Sequence, residues 1–211
     1  SAGKSNITGN EERLFLCECY DYKQKELIQS PLNYTGGKYK LLPQILPHFP
    51  QDIDRFVDLF CGGGNVGINV PCNRVIFNDN NELLRFMFGT FKNLDKQVTF
   101  ETIDAIIEKY GLSNTEKYGY DFYGCNSAEG LAAYNSSRYL KLRDDFNHHT
   151  NLEYNYYVTL YVLIVYAFNN QIRFNRKGEF NLPVGKRDFN KKMREKLSAF
   201  IDRLKSGDYS F

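Results

Sequence analysis

Apolar residues recur along this chain with two different periods, and each period predicts a kind of element. Two short apolar runs end in acids, Phe56-Val57-Asp58-Leu59-Phe60 and Arg74-Val75-Ile76-Phe77-Asn78-Asp79. They predict strands over about 55–60 and 74–78. Between them Cys61-Gly62-Gly63-Gly64-Asn65-Val66-Gly67 reads as a tight turn that opens a helix. Apolar positions three and four apart predict helices over Glu82–Phe91, Thr99–Tyr110, Ser137–Phe146, Tyr156–Phe168 and 190–205. A further helical pattern runs through Leu41, Leu42, Ile45 and Leu46, with Pro43 early in it. The stretch Arg13–Tyr20 reads as a strand, and 111–137, rich in Gly, Asn, Ser and Tyr, as a loop-heavy insertion. From Gln171 to Pro183 two short alternating runs flank Asn175-Arg176-Lys177-Gly178, which predicts a β-hairpin with a four-residue turn.

Composition narrows the class. At 42 % hydrophobic residues the chain can build a core. Its longest apolar run, Tyr156 to Phe168, is interrupted by Thr159 and falls short of the roughly 20 residues of a membrane helix. The polar N-terminus carries no secretory signal pattern. Cys17, Cys19, Cys61, Cys72 and Cys125 form no disulfide framework, so a reducing, cytoplasmic setting is expected. No metal is expected either, because Cys17 and Cys19 lack a partner pair and His148-His149 lies in a polar stretch without ligands at metal spacing.

The net charge of +2 hides an asymmetry. Residues 173–205 hold eleven basic and four acidic side chains, a balance of +7, which leaves −5 on the rest. A basic surface confined to one end suits a polyanionic partner.

Gly62, Gly64 and Gly67 have the G-x-G-x-x-G spacing, and Asp79 follows about 20 residues after the first strand. Glycines let a ligand approach the main chain, and an acid at the next strand end can accept from ribose hydroxyls. The pattern therefore points to a nucleoside cofactor. By itself it also suits a nicotinamide-dependent Rossmann oxidoreductase, and the basic segment by itself suits a non-catalytic DNA-binding module.

The order of several short motifs goes further. Tyr34-Thr35-Gly36-Gly37-Lys38, Asp58-Leu59-Phe60-Cys61-Gly62-Gly63 and Asn78-Asp79 resemble the N-terminal half of Dam-like, D12-class DNA adenine-N6 methyltransferases. Tyr139–Arg143, Phe168-Asn169-Asn170, Ile172–Asn175 and Phe180–Arg187 resemble the target-recognition part of the same family. The resemblance implies an α/β, Rossmann-like methyltransferase fold that binds S-adenosylmethionine (SAM), with an incomplete sheet and an inserted helical and β-hairpin DNA-recognition subdomain. It divides the chain into an extension (1–30), a SAM-binding part (31–95), a target-recognition region (96–205, hairpin 171–187) and a return to the catalytic domain (206–211). It implies cofactor contacts from Tyr34, Lys38, Asp58, Phe60, Gly62, Gly64 and Asp79, with Lys38 paired to the carboxylate of SAM. It implies double-stranded DNA as partner, with Arg173, Asn175, Pro183 and Arg187 near the bases of GATC or a related site, and Gln171, which stands where some relatives have an apolar residue, among the DNA-binding residues. Arg187 is the residue for a guanine, and Lys177, Lys186, Lys191, Lys192 and Arg194 are expected on phosphates. The setting implied is the cytoplasm of a bacterium, or a phage-encoded protein there.

One motif of that family is absent. The six prolines, Pro31, Pro43, Pro47, Pro50, Pro71 and Pro183, never adjoin, so there is no Asp-Pro-Pro-Tyr. The sequence therefore offers no catalytic residue, and the chain alone is expected to be inactive. A truncated enzyme, a split one whose C-terminal catalytic half comes from another chain, and a degenerate relative all fit that expectation.

Overall fold

The computed structural model describes residues 27–50, 52–149 and 154–211. The expected strand over Arg13–Tyr20, with Cys17 and Cys19, lies outside them. Three strands form one parallel sheet in the order β1 (Ile53–Asp58), β2 (Cys72–Phe77), β3 (Asp208–Ser210). Register aligns Phe56, Val75 and Tyr209 on one row and Arg55, Arg74 and Asp208 on the next. Side chains alternate between faces. Phe56, Asp58, Val75, Phe77 and Tyr209 therefore share one face, and Ile53, Arg55, Val57, Arg74 and Ile76 the other.

Seven α-helices accompany the sheet among the described residues: α1 (Leu42–Ile45), α2 (Glu82–Asn93), α3 (Lys96–Tyr110), α4 (Thr115–Tyr118), α5 (Ala132–Asn147), α6 (Tyr156–Tyr166) and α7 (Lys191–Ser206). Their starts follow local chemistry. Asn81 caps α2, Asp95 caps α3, Asn155 caps α6 and Asn190 caps α7, each side-chain oxygen accepting a first-turn N–H. Gly111 ends α3 in the left-handed conformation. Helix α6 is apolar all round and is buried from Val158 to Tyr166, with α2, α3 and α5 packed against it. Helices α2 and α7 cover the Phe77 face of the sheet through Phe88 and Phe200, whose rings sit 5.2 Å apart. Sheet and helices share a single buried cluster.

The other face of the sheet is open among the described residues, with Val57 49 % exposed. No helix of the described residues is long and apolar enough to cross a membrane.

Three expected elements differ in detail. The run after the glycines is a series of turns, not a helix. It makes isolated helical bonds such as Ile68 N–H to Gly64 O at 3.1 Å, but Pro71 stops it and its two asparagines bond elsewhere. The helix near Leu41 breaks into 3-10, α and 3-10 pieces over Tyr39–His48, because Pro47 has no N–H for the Pro43 carbonyl. The hairpin is an irregular ribbon. Its antiparallel bridges are Phe174 to Phe180 and Ala167 to Val184, and Gly178 N–H donates to Asn175 O at 3.0 Å to close the turn.

Candidate cofactor pocket and nucleic-acid interface

The C-terminal ends of β1 and β2 lie side by side, the place where parallel α/β sheets bind ligands. Past those ends the ladder continues as Asn78 N–H to Asp58 O and Cys61 N–H to Asn78 O, each 2.9 Å. This lays Asp79 against the glycine turn. Its Oδ2 accepts from Gly62 N–H at 2.9 Å and its Oδ1 from Asn81 N–H at 3.0 Å. Each oxygen keeps a further lone pair for a hydroxyl.

Gly62 takes φ +48° and packs under Tyr34; a Cβ there would lie 2.7 Å from Tyr34 Cδ1. Only glycine leaves both the backbone conformation and the aromatic ring undisturbed. Phe60 stands beside this cradle with 79 % of its surface exposed, an unusual state for a phenylalanine at a strand end.

The Tyr34 segment is held by two residues the sequence reasoning passed over. Asn65 Oδ1 accepts from Ser30 N–H at 2.9 Å. Asn69 pairs with Ile28 in both directions, at 2.7 and 2.8 Å. Both asparagines are buried. The only signal for them was their place in and just after the glycine turn, where a polar side chain needs a partner.

Asp58 points inward. Its Oδ2 accepts from Gly67 N–H at 2.9 Å, and burial pushes its carboxyl above the usual range. It anchors the turn. Burial, with Asp58 and Asp79 nearby, pushes the Cys61 thiol up to about 12, so it stays protonated and inert. The Gly64 N–H, expected to face a ligand, instead donates to Cys61 O at 2.7 Å. Lys38 is exposed and its Nζ donates to Gly36 O at 2.6 Å.

A second region adjoins the first. Asn33 Nδ2 donates to Asn169 O at 3.0 Å. A cleft of about 390 Å³ lies between the Tyr34 segment and the start of the ribbon, lined by Leu32, Tyr34, Asn170, Gln171, Ile172 and Arg173. Just before it, Phe168 is 50 % exposed, and Asn169 and Asn170 both take positive φ. The sequence marked Phe168 only as part of the Phe168-Asn169-Asn170 motif and not as a site residue, because an apolar helix end looks like core.

The ribbon presents Arg173, Lys177, Pro183, Lys186 and Arg187 to solvent. Arg173 is steadied by Asn181, with Nε donating to its Oδ1 at 2.8 Å. Two expected contacts are committed elsewhere. Asn175 builds the turn: Oδ1 accepts from the N–H groups of Lys177 and Glu179, and Nδ2 donates to Glu179 Oε2. Arg194, expected on a phosphate, pairs with Asp104 at 2.6 Å and Glu116 at 3.1 Å and stacks near Phe189.

Comparison with known proteins gives the same reading. The family model described as D12 class N6 adenine-specific DNA methyltransferase matches residues 34–211. A modification methylase, StsI, of Streptococcus sanguinis is 39 % identical over 189 residues, covering 89 % of this chain and 25 % of that protein. The type II methyltransferase M.FokI of Planomicrobium okeanokoites is 38 % identical over 90 % of this chain and 26 % of its own length. The DNA adenine methylase of Escherichia coli K12 is 31 % identical over 74 % of this chain and 47 % of its own length. The chain thus spans about a quarter of the first two relatives and about half of the third.

Proposed function

Because the chain belongs to the D12 class N6 adenine-specific DNA methyltransferases, we propose that it forms the cofactor-holding and DNA-reading part of an enzyme that methylates adenine N6 in duplex DNA. The observation that carries this is the Asn33 to Asn169 contact, which sets the Tyr34 segment, packed on the glycine turn, and the start of the basic ribbon on either side of one cleft.

SAM, when bound, supplies an electrophilic methyl group. The cradle suits it. Asp79 would accept from the ribose hydroxyls, and the turn from Phe60 to Gly64 would wrap the methionine and sugar side with no side chain from its glycines in the way. Tyr34 walls the pocket, and Asp58 holds the turn's shape through Gly67. Lys38, whose Nζ donates to Gly36 O here, would pair with the carboxylate of SAM. Duplex DNA lies along the ribbon. Arg187 reads a guanine edge, Gln171, Arg173 and Pro183 lie near bases, and Lys177 and Lys186 meet phosphates. Exposed Phe168 enters the base stack while the target adenine leaves it for the cleft.

The division into a SAM-binding part (31–95) and a target-recognition part (96–205) is kept as part of this proposal. The Asp-Pro-Pro-Tyr segment absent from these 211 residues would join at the edge of β1 that is unpaired among the described residues, beside the sheet face open among them.

Fluorescence anisotropy with a labelled duplex tests the proposal. The expected affinity falls steeply with salt and rises when S-adenosylhomocysteine is added. A salt-dependent affinity that ignores S-adenosylhomocysteine would point instead to a DNA-binding module without a cofactor.

A further inference from the structure

We propose that Asp188 is a positioning residue for base reading: it locks the backbone on which Arg187 stands, so that this one guanidinium is aimed at the duplex. The inference rests on the reading of Arg187 as the guanine contact.

Asp188 is the one acid of the basic segment that is wholly buried, with 0 % exposure. Its Oδ2 accepts from Thr115 N–H at 2.6 Å and its Oδ1 from the Thr115 hydroxyl at 2.8 Å. The Ser113 hydroxyl donates to it as well. Ser113 is itself fixed from two helices. Asn135 of α5 donates to its Oγ at 2.8 Å, and Tyr166 of α6 donates to its carbonyl at 2.6 Å. Asp188 is therefore tied to the most buried helix of the molecule through one intermediate residue.

The neighbours of Arg187 are fastened in the same way. Gly185 N–H donates to Tyr166 O at 2.7 Å, and Leu131 N–H donates to Lys186 O at 3.0 Å. Gly130, at φ +76°, approaches so closely that a Cβ there would lie 2.8 Å from Lys186 O. So residues 185, 186 and 188 are each held by a different partner. The side chain of Arg187, between them, is exposed and carries no hydrogen bond or ion pair among the described residues.

A buried carboxylate is costly, and an apolar residue would pack there without that cost. What the carboxylate offers is an acceptor-only group with room for three donors. Asparagine at this position would turn an NH2 toward one of the two Thr115 donors. Thr115 and Ser113 belong to the insertion over 111–137, so that segment is a brace for the reading strand.

The test uses the 211-residue chain with S-adenosylhomocysteine and duplexes selected by it from a randomised pool. The readout is the Kd ratio between a scrambled duplex and the selected one. Arg187→Ala is expected to lower this ratio about tenfold or more, as loss of a bidentate guanine contact should. Asp188→Asn is expected to lower it by a similar factor without weakening binding to the scrambled duplex. Adding Asp188→Asn to Arg187→Ala should change nothing further. If Asp188→Asn does not fold, Thr115→Val, which deletes one of the donors, is read the same way and should lower the ratio by a smaller factor. An unchanged ratio in Asp188→Asn, or an additive double variant, overturns the inference while leaving Arg187 as the reader. An unchanged ratio in Arg187→Ala overturns the reading beneath it, and the inference with it.

Discussion

Tyr161 sits in the middle of α6 at the centre of the core, and its hydroxyl has no hydrogen-bond partner among the described residues. The ring packs edge-on against Phe91 at 5.4 Å and near Phe189. Removing an orphaned buried hydroxyl recovers its desolvation penalty, about 1 kcal/mol at the low end. Tyr161→Phe should therefore raise the Tm by roughly 2–4 °C in a scanning melt; a fall would mean that the hydroxyl has a partner. Cys61 gives a chemical check on the pocket. With its thiol pushed up to about 12, only roughly one molecule in ten thousand is a thiolate at pH 8. Peptide mapping after iodoacetamide treatment at that pH should find Cys61 unmodified in the native chain and modified after denaturation. At this scale the sequence was least legible. Asn175 and Arg194 have residue types that suit DNA, yet which way each side chain turns depends on Glu179, Asp104 and Glu116, and no local pattern encodes that.

Elements were easier to read, and the reason is periodicity. Helices α2, α3 and α7 repeat apolar residues at helical spacing, α6 is one long apolar run, and their caps are local, so they appear within a few residues of their expected limits. Elements shaped by distant partners were not legible in the same way. The turns after Gly64 failed to become a helix because Asn65 and Asn69 bond to residues 28–30, about 40 positions away. Helix α5 starts at Ala132, five residues before the position expected. Its start is set by Leu131 bonding to Lys186, a contact far away in sequence. The two kinds of basic residue on ribbon and helix also separate by experiment. Lys177→Ala should weaken binding to all duplexes alike and reduce the salt slope by about 1. Arg194→Ala should leave that slope alone and lower the Tm, because it strands Asp104 and Glu116. A changed slope in Arg194→Ala would put that residue back on the DNA.

For the whole molecule the α/β class and the family were legible, since the motifs that carry the resemblance run in order from Tyr34 to Arg187. Among the described residues the sheet carries three strands with helices over one face, while the other face, around Val57, is open. Parallel sheets are ordinarily covered on both faces. These 211 residues also hold no Asp-Pro-Pro-Tyr. The chain alone should therefore transfer no tritiated methyl group from SAM to a GATC duplex, and measurable transfer would show that some other residue replaces the motif. The proposed donor pocket, at the ends of β1 and β2 with the Tyr34 segment, lies within these residues, so donor binding should survive without that chemistry. Titration calorimetry with S-adenosylhomocysteine decides this most directly. The account predicts one binding site per chain, weakened at least about tenfold in Asp79→Asn, which keeps an acceptor for Gly62 but loses the carboxylate that receives the ribose. It also predicts no heat from NAD. Heat from NAD and none from S-adenosylhomocysteine would contradict it.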